Sequence, residues 1–317
     1  MPRRPDPILR TDLAGIHLSA PVILAAGTAG VLDEMGDITD LARLGAVVTK
    51  SITPRPRAGN ASPRITWTSA GMLNAIGLAN PGLSRFVRDE APRAASLPCK
   101  VIASAAGFSI ADYESVAGAL AAVPGVAGVE LNVSCPNVHG GTEFGADPGA
   151  LREVVAAARA AVGEKPLLVK LSPVAIGTPH SIVDLATAAI EARADALCIS
   201  NTIPAMGIDV RSRRPALANI TGGLSGPAVR PVVVRLIHLV YTGVARDARV
   251  PIVGIGGISR WEHAAEHMLA GASAVQVGAA SFADPGAGVR VVHGLAKWAR
   301  TQGASHIAAL VGKVDPT

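Results

Sequence analysis

The stretch "PIVGIGGISRWEHAAEHMLAGASAVQVGAAS", residues 251–281, decides the fold because it contains one complete strand–helix–strand unit. Residues 251–257 and 274–280 are near-continuous apolar runs, which are typical of strands buried on both faces of a parallel sheet. Residues 259–272 between them have helical periodicity, and Gly271 is a stop signal. The stretch therefore predicts two parallel strands joined by a helix that covers the sheet.

The same unit recurs along the whole chain. Segment 147–162 is one of the helix-like stretches, with Asp147 as N-cap and Pro148 in the first turn. The eight apolar runs are 21–27, 46–52, 100–107, 128–135, 167–173, 196–202, 251–257 and 274–280. Eight such units without a break in composition predict an α/β protein, a (β/α)₈ TIM barrel that occupies residues 1–317 as a single domain. A doubly wound open sheet is the alternative.

The composition narrows the class of protein. The hydrophobic fraction of 49% allows a large core, and an aromatic fraction of 3% disfavours a stacking surface for nucleic acid. Three cysteines are too few for a disulfide framework and lack metal-ligand spacing. The N-terminus has no signal-peptide pattern, and no apolar run reaches the roughly 18 residues of a membrane span. We expect a soluble cytoplasmic protein, and the net charge of +5 suits an anionic small molecule.

Two connections are too long to be simple turns. Residues 53–80 follow the second apolar run, and residues 203–226 follow the sixth. Long ordered loops in a compact domain are usually functional. In a barrel both would lie at the carboxyl ends of the strands, where active sites form.

Polar and small residues gather at these predicted strand ends. They are Lys50, Asn132, Cys135, Lys170, Ser200, Asn201, Thr202, Gly256, Gly257 and Gly278. Glycines after the seventh and eighth strands, with Gly226 before a predicted helix, favour a phosphate site made by backbone N–H groups. "GIGGIS" is not the dinucleotide fingerprint, so the pattern favours flavin mononucleotide (FMN), with Lys170 as the candidate cation near flavin N1/O2.

Several motifs together resemble one enzyme family. They are "LNAIGLANPG", "ELNVSCPNVHGG", "CISNTIPAMGID", "NITGGLSGPAVRP", the segment from 251 to 282 and "ALVGKV". From about residue 10 to residue 313 the chain is similar to the catalytic subunit of class 1 dihydroorotate dehydrogenase. The resemblance implies an FMN-dependent oxidation of (S)-dihydroorotate to orotate in the biosynthesis of UMP.

The resemblance also implies roles for individual residues. Cys135 would be the base that removes the C5 proton, while hydride passes from C6 to flavin N5. Lys50 would contact both flavin and substrate, and the rest of the substrate site would be Asn74, Ile76, Gly77, Leu78, Asn132, Asn137, Asn201 and Thr202. The residues lining FMN would be Ala26, Gly27, Lys50, Ser51, Asn132, Lys170, Ile199, Ser200, Gly226, Gly256, Gly257, Gly278 and Ala279. No metal is implied.

Within class 1, "NAIGLANPG" is most similar to the 1B branch, whose companion subunit carries FAD and a [2Fe–2S] cluster and passes electrons to NAD⁺. A homodimer, with such a subunit as a further partner, is therefore expected, with no nucleic acid and no membrane. The loop after Cys135 is one residue shorter than the branch pattern, and Ala279 replaces a common threonine. Three alternatives remain: a dihydropyrimidine dehydrogenase acting on uracil or thymine, an enzyme acting on uridine in tRNA, and a non-catalytic flavin-binding subunit that docks a partner.

Overall fold

The structure is a computed structural model that describes residues 5–133, 144–173 and 179–315. Its strands are β1 (Thr11–Leu13), β2 (Ile16–Leu18), β3 (Val22–Leu24), β4 (Ala46–Val48), β5 (Ile65–Thr68), β6 (Gly71–Asn74), β7 (Lys100–Ala105), β8 (Val126–Asn132), β9 (Leu167–Lys170), β10 (Ala196–Ile199), β11 (Ile203–Met206), β12 (Ile208–Asp209), β13 (Arg214–Pro215), β14 (Thr221–Ser225), β15 (Ile252–Ile255) and β16 (Ala272–Val277). Its α-helices are α1 (Leu83–Arg85), α2 (Ile110–Ala121), α3 (Pro148–Val162), α4 (Ile182–Glu191), α5 (Arg230–Val240), α6 (Arg246–Ala248), α7 (Trp261–Ala270), α8 (Ala280–Ala283) and α9 (Ala287–Thr301).

Eight strands form a closed parallel barrel in the order β3, β4, β7, β8, β9, β10, β15, β16. Each of them lies within or overlaps one of the eight apolar runs, so the strand prediction is confirmed. The last strand pairs with the first, with Val275 opposite Val22, and this pairing rules out an open doubly wound sheet. The (β/α)₈ barrel is therefore confirmed.

Several helix limits around the barrel coincide with local sequence signals. The Asp147 side chain accepts a hydrogen bond from the Ala150 N–H at the start of α3, as an N-cap does. Ser181 and Asp184 form a reciprocal capping box at the start of α4. Gly271 ends α7 with a positive φ of 128°, a conformation that favours glycine. These local signals explain why the helix limits could be predicted.

The N-terminal hairpin of β1 and β2 closes the barrel, a feature that the sequence did not predict. Leu13, Ile16 and Leu18 are buried in one cluster with inward side chains of the barrel strands, such as Val48 and Leu168. A second and larger cluster lies between the barrel and the helices. Most of the barrel interior is thus a packed aliphatic core, and the residues predicted for the site must lie above it.

The two long connections form a small antiparallel sheet of their own. Its strand order is β11, β14, β6, β5, so residues from the connection after β4 pair with residues from the connection after β10. Gly223 pairs with Asn74, and Ile203 pairs with Leu224. The prediction of two long loops at the carboxyl ends of the second and sixth barrel strands, β4 and β10, is confirmed. Their joining into one sheet was not anticipated.

Among the described residues, one helical stretch, Pro227–Ala248, is long and apolar enough to cross a membrane by length and composition alone. Core helices of water-soluble proteins pass the same test, so a single stretch is weak evidence. Val233, Ile237 and Val240 on this stretch are buried in the main hydrophobic cluster. Their burial supports its assignment as a barrel helix.

Candidate active site

A cavity of about 570 Å³ opens at the carboxyl ends of the barrel strands, under the four-stranded sheet. Most of the residues predicted for the site line it. These are Ala26, Gly27, Lys50, Ser51, Asn74, Ile76, Gly77, Leu78, Asn132, Lys170, Ser200, Asn201, Thr202, Gly226, Gly256, Gly257, Gly278 and Ala279. Cys135 and Asn137 lie outside the described residues. The structure therefore brings together residues from widely separated parts of the chain.

Ile199 does not line the cavity. Along β10 the side chains alternate, so that Ala196 and Cys198 belong to the cluster inside the barrel. Leu197 and Ile199 belong to the cluster between barrel and helices, and Ile199 is completely buried there. Its side chain consequently faces away from the predicted ligand, because successive side chains of a strand point to opposite faces.

A chain of hydrogen bonds fixes the amide groups at the base of the cavity. Asn201 Nδ2 donates to Asn132 Oδ1 at 3.2 Å, and Asn132 Nδ2 donates to Ser51 Oγ at 3.1 Å. Ser51 Oγ and Ser104 Oγ are 2.9 Å apart. The Thr202 N–H donates to Asn201 Oδ1 at 2.8 Å. Because each amide has a partner on another strand, these groups are held in place for a polar ligand.

Two lysines reach the cavity from strand ends. Lys50 follows β4, and a Cβ placed on Gly27 would lie 3.2 Å from its Nζ. Lys170 ends β9 and is only 6% exposed, with its Nζ 3.8 Å from Glu130 Oε1. Two cations at one cavity favour an anionic ligand.

Glycines from three segments of the chain form one end of the cavity. Gly226, Gly256 and Gly257 have positive φ values of 91°, 140° and 72°. A Cβ on Gly257 would lie 2.5 Å from Arg230 Cβ, and a Cβ on Gly256 would lie 2.8 Å from a methyl group of Val233. The strand ends thus approach the first turn of α5 closely, and the positive end of that helix favours an anion such as a phosphate.

The segment after β6 forms a wall of the cavity and is tied to the barrel. Asn74 Nδ2 donates to the Gly223 carbonyl at 3.3 Å, which links β6 to β14. Arg57 Nε donates to the Gly77 carbonyl at 3.2 Å, and its guanidinium lies 4.8 Å from the centre of the Phe108 ring. These contacts hold the segment that the resemblance assigns to the substrate.

Tyr113 contacts described residues on both sides of the segment 134–143. Its hydroxyl donates to the Asn132 carbonyl at 2.8 Å, and its ring meets the Phe144 ring edge-on at 5.7 Å. The Gly145 N–H also donates to the Val133 carbonyl at 3.1 Å. The described residues before and after the segment that carries Cys135 are therefore held close to each other.

The other two cysteines have thiols of raised pKa. Burial raises the pKa of the Cys99 thiol to about 12. Cys198 lies inside the barrel, where burial and the nearby carboxylate of Glu130 raise its pKa well above the ordinary value. Both thiols stay protonated near neutral pH, so neither is a candidate base.

Sequence reasoning missed several residues around the site. Glu130 and Gln276 lie inside the barrel just below the cavity, and Trp67 and Phe282 line its wall while remaining about half exposed. The alternation of β8 could have revealed Glu130, because residues 130 and 132 must share one face of a strand. Within the described ranges, no group of three or more His, Cys, Asp and Glu side chains is placed to hold a metal ion.

Comparison with known proteins agrees with this geometry. A family model for dihydroorotate dehydrogenase matches residues 8–298. A protein of Pelobacter propionicus named dihydroorotate dehydrogenase B (NAD(+)), catalytic subunit, is 46% identical over 310 residues, which cover 98% of this chain and 99% of that protein. A protein of Geobacter sulfurreducens with the same name is 44% identical over 314 residues, covering 99% of both chains.

Proposed function

The chain belongs to the dihydroorotate dehydrogenase family, and on that premise we propose that it oxidises (S)-dihydroorotate to orotate in pyrimidine biosynthesis. It is an oxidoreductase that acts on a CH–CH group. The observation that carries the proposal is one cavity in which four elements meet: fixed amides, two lysines, a glycine-lined anion site and the segment closing over them. A non-catalytic flavin carrier would need only the anion site.

FMN is the flavin that these residues fit. A dinucleotide would need a second phosphate site, whereas the glycines at 226, 256 and 257 line one end of the cavity, where a Cβ on any of them would lie within 3 Å of a neighbouring protein atom. Lys170 would lie beside the flavin ring, where a cation stabilises the negative charge that reduction creates. Ser51, Ser200 and the backbone at Ala26, Gly27, Gly278 and Ala279 would complete the binding site. Bound FMN would supply the hydride acceptor.

The substrate would be held by hydrogen bonds to its ring and carboxylate. A dihydropyrimidine ring carries both donors and acceptors, and Asn74, Asn132, Asn201 and Thr202 offer both kinds of group in fixed positions. Lys50 would neutralise the substrate carboxylate. Asn137 would add a further amide from the segment after β8. A uracil-type substrate has no carboxylate and would leave Lys50 without this partner.

Cys135 would act as the base. It lies outside the described residues and follows Asn132, the last residue of β8, by three positions in the sequence. A thiol with an ordinary pKa near 8.5 can accept a proton near neutral pH when nearby cations favour the thiolate. Its role would be to take the C5 proton while the pair of electrons from C6 leaves as hydride.

The electron acceptor would be reached through a partner. The relatives are named as catalytic subunits of an NAD(+)-linked enzyme, which supports a separate partner subunit. We propose that this subunit carries FAD and a [2Fe–2S] cluster, and that the catalytic chain is a homodimer. The location in the cytoplasm and the single FMN-binding domain stay predictions from the sequence.

The test is an anaerobic half-reaction. The purified protein should be yellow, should release FMN on denaturation, and should lose its colour when dihydroorotate is added. Cys135→Ala should keep FMN but slow this reduction by about 10²- to 10⁴-fold near neutral pH, the usual size of a general-base contribution. Cys99→Ala, which removes a half-buried thiol outside the cavity, should be reduced at the unchanged rate.

Three results would contradict the proposal. A protein that stays colourless after incubation with FMN would refute the proposal that it binds FMN. Reduction by dihydrouracil but not by dihydroorotate would favour the dihydropyrimidine alternative. Equal rates of flavin reduction in Cys135→Ala and Cys99→Ala would show that Cys135 is not the base. Reoxidation with NAD⁺, with and without the partner subunit, would then test the acceptor.

A further inference from the structure

A polar layer lies inside the barrel directly beneath the cavity. Glu130 on β8, Gln276 on β16 and Cys198 on β10 are completely buried, and none of them lines the cavity. The rest of the interior cluster is apolar, with aliphatic side chains such as Leu168 and Ala274. A charged residue in such an interior is unusual, because the cost of removing a carboxylate from water is several kcal/mol.

Glu130 has a strong partner on one oxygen only. Gln276 Nε2 donates to Glu130 Oε2 at 2.8 Å. Glu130 Oε1 is buried and, over the part of the chain that the structure describes, has no hydrogen-bond partner. The closest cation to it is Lys170, whose Nζ is 3.8 Å from Oε1. The Cys198 thiol, which also faces this carboxylate, stays protonated because burial and Glu130 raise its pKa.

Lys170 connects this layer to the cavity. On the neighbouring strands Lys170 pairs with Asn132, and Glu130 pairs with Leu168, so Glu130 lies one side-chain layer deeper than Lys170. The lysine lines the cavity, while its ammonium faces the carboxylate below. Aliphatic residues of similar volume would pack this layer at a lower desolvation cost. A purely structural role thus gives no reason for a carboxylate here.

We propose that Glu130 is a positioning residue that holds Lys170 at the floor of the cavity and, by balancing its charge, lowers the reduction potential of bound FMN. This inference rests on the proposed function, since it requires FMN beside Lys170. Two-electron reduction adds negative charge to the flavin, and a nearby cation favours the reduced form. Because the carboxylate offsets part of that positive field, its removal should make the flavin easier to reduce.

The matched variants are Glu130→Gln and Glu153→Gln. Both remove one negative charge and keep the side-chain volume, but Glu153 is exposed on α3, far from the cavity wall. In Glu130→Gln the new amide carbonyl would still accept the hydrogen bond from Gln276, so the packing of the layer is retained. The midpoint potential of bound FMN is measured against reference dyes, and the stability of FMN-free protein is measured by urea unfolding.

Glu130→Gln should raise the midpoint potential by about 30 mV, which corresponds to about a tenfold change in the equilibrium constant of a two-electron couple. Glu153→Gln should leave the potential unchanged. In a Lys170→Met background the same Glu130→Gln change should shift the potential much less, because no ammonium remains for the carboxylate to hold or to offset.

The urea experiment tests the pair without flavin. Lys170→Met alone should destabilise the FMN-free protein more than the double variant Glu130→Gln/Lys170→Met does, because the single change leaves a buried carboxylate without a cation. An unchanged or lowered potential in Glu130→Gln would overturn the inference, as would an equal shift in both lysine backgrounds. A protein that binds no FMN would instead contradict the proposed function, while the urea cycle would still test the pair.

Discussion

The glycine cradle can be tested by one added methyl group. Gly257 has a φ of +72°, and a Cβ there would lie 2.5 Å from Arg230 Cβ and 3.0 Å from the Arg230 Cα and N atoms. Gly303 has a similar φ of +66°, but a Cβ there would have no atom within 4 Å. Gly257→Ala and Gly303→Ala should therefore have a similar cost from the positive φ. Only Gly257→Ala would also bring the new methyl group too close to Arg230.

The expected magnitudes follow from these distances. A positive φ costs an alanine about 1–2 kcal/mol at either position. At Gly257, carbon atoms that normally meet at about 3.5 Å would have to separate by roughly 1 Å, and overpacking of this kind costs about 1–3 kcal/mol more. The displacement would move the backbone N–H groups away from the phosphate. FMN affinity should fall by about 10- to 100-fold, where each tenfold is about 1.4 kcal/mol.

In the assay, FMN is titrated into the FMN-free variants and binding is monitored through the loss of flavin fluorescence. The stability of the same samples is measured by urea unfolding. Gly303→Ala should bind FMN as the unchanged protein does and lose only the backbone part of the stability. If Gly257→Ala binds FMN as tightly as Gly303→Ala, the glycines at this end of the barrel do not form the phosphate site.

Two further predictions concern residues outside the cavity wall. Tyr113→Phe keeps the ring but removes the hydroxyl that donates to the buried Asn132 carbonyl. The change should lower the free energy of unfolding in urea by about 1–3 kcal/mol and slow flavin reduction by dihydroorotate. Unaltered reduction kinetics would show that this contact does not support the site. His267 lies fully buried against Gly254, and burial lowers its pKa to about 3. The unfolded chain binds one more proton than the folded chain between about pH 6.5 and 3, so the free energy of unfolding should fall as pH falls through that window. His267→Leu should reduce this slope by about 1.4 kcal/mol per pH unit relative to the exposed control His306→Gln, and equal slopes would contradict the assignment.

Most of the barrel could be predicted because its signals are local. Each buried parallel strand is a short apolar run, and some helix limits, such as the start of α3 at Asp147 and the end of α7 at Gly271, have a residue that acts on its immediate neighbours. The site residues at strand ends could be predicted for the same reason, since all carboxyl ends of a parallel barrel lie on one face.

The predictions were incomplete where side-chain direction or long-range pairing decides the outcome. Ile199 was assigned to the cavity, but the register of β10 turns its side chain toward the helices. The hairpin of β1 and β2 has no sequence signal for what it covers, and only closure of the barrel creates the opening that Leu13 and Ile16 fill. The sheet at the cavity joins segments more than a hundred residues apart.

The amino-acid sequence by itself determined the repeating units, the end of the barrel that carries the chemistry and the family resemblance, because period, caps and motifs depend on neighbouring residues. Tertiary structure alone decided which residues share the barrel interior. Glu130 and Lys170 are forty positions apart in the sequence, and only the pairing of β8 with β9 brings the carboxylate to 3.8 Å from the ammonium beneath the cavity. The physical reason is that burial and charge balance are set by neighbours in space, which closure of the barrel selects.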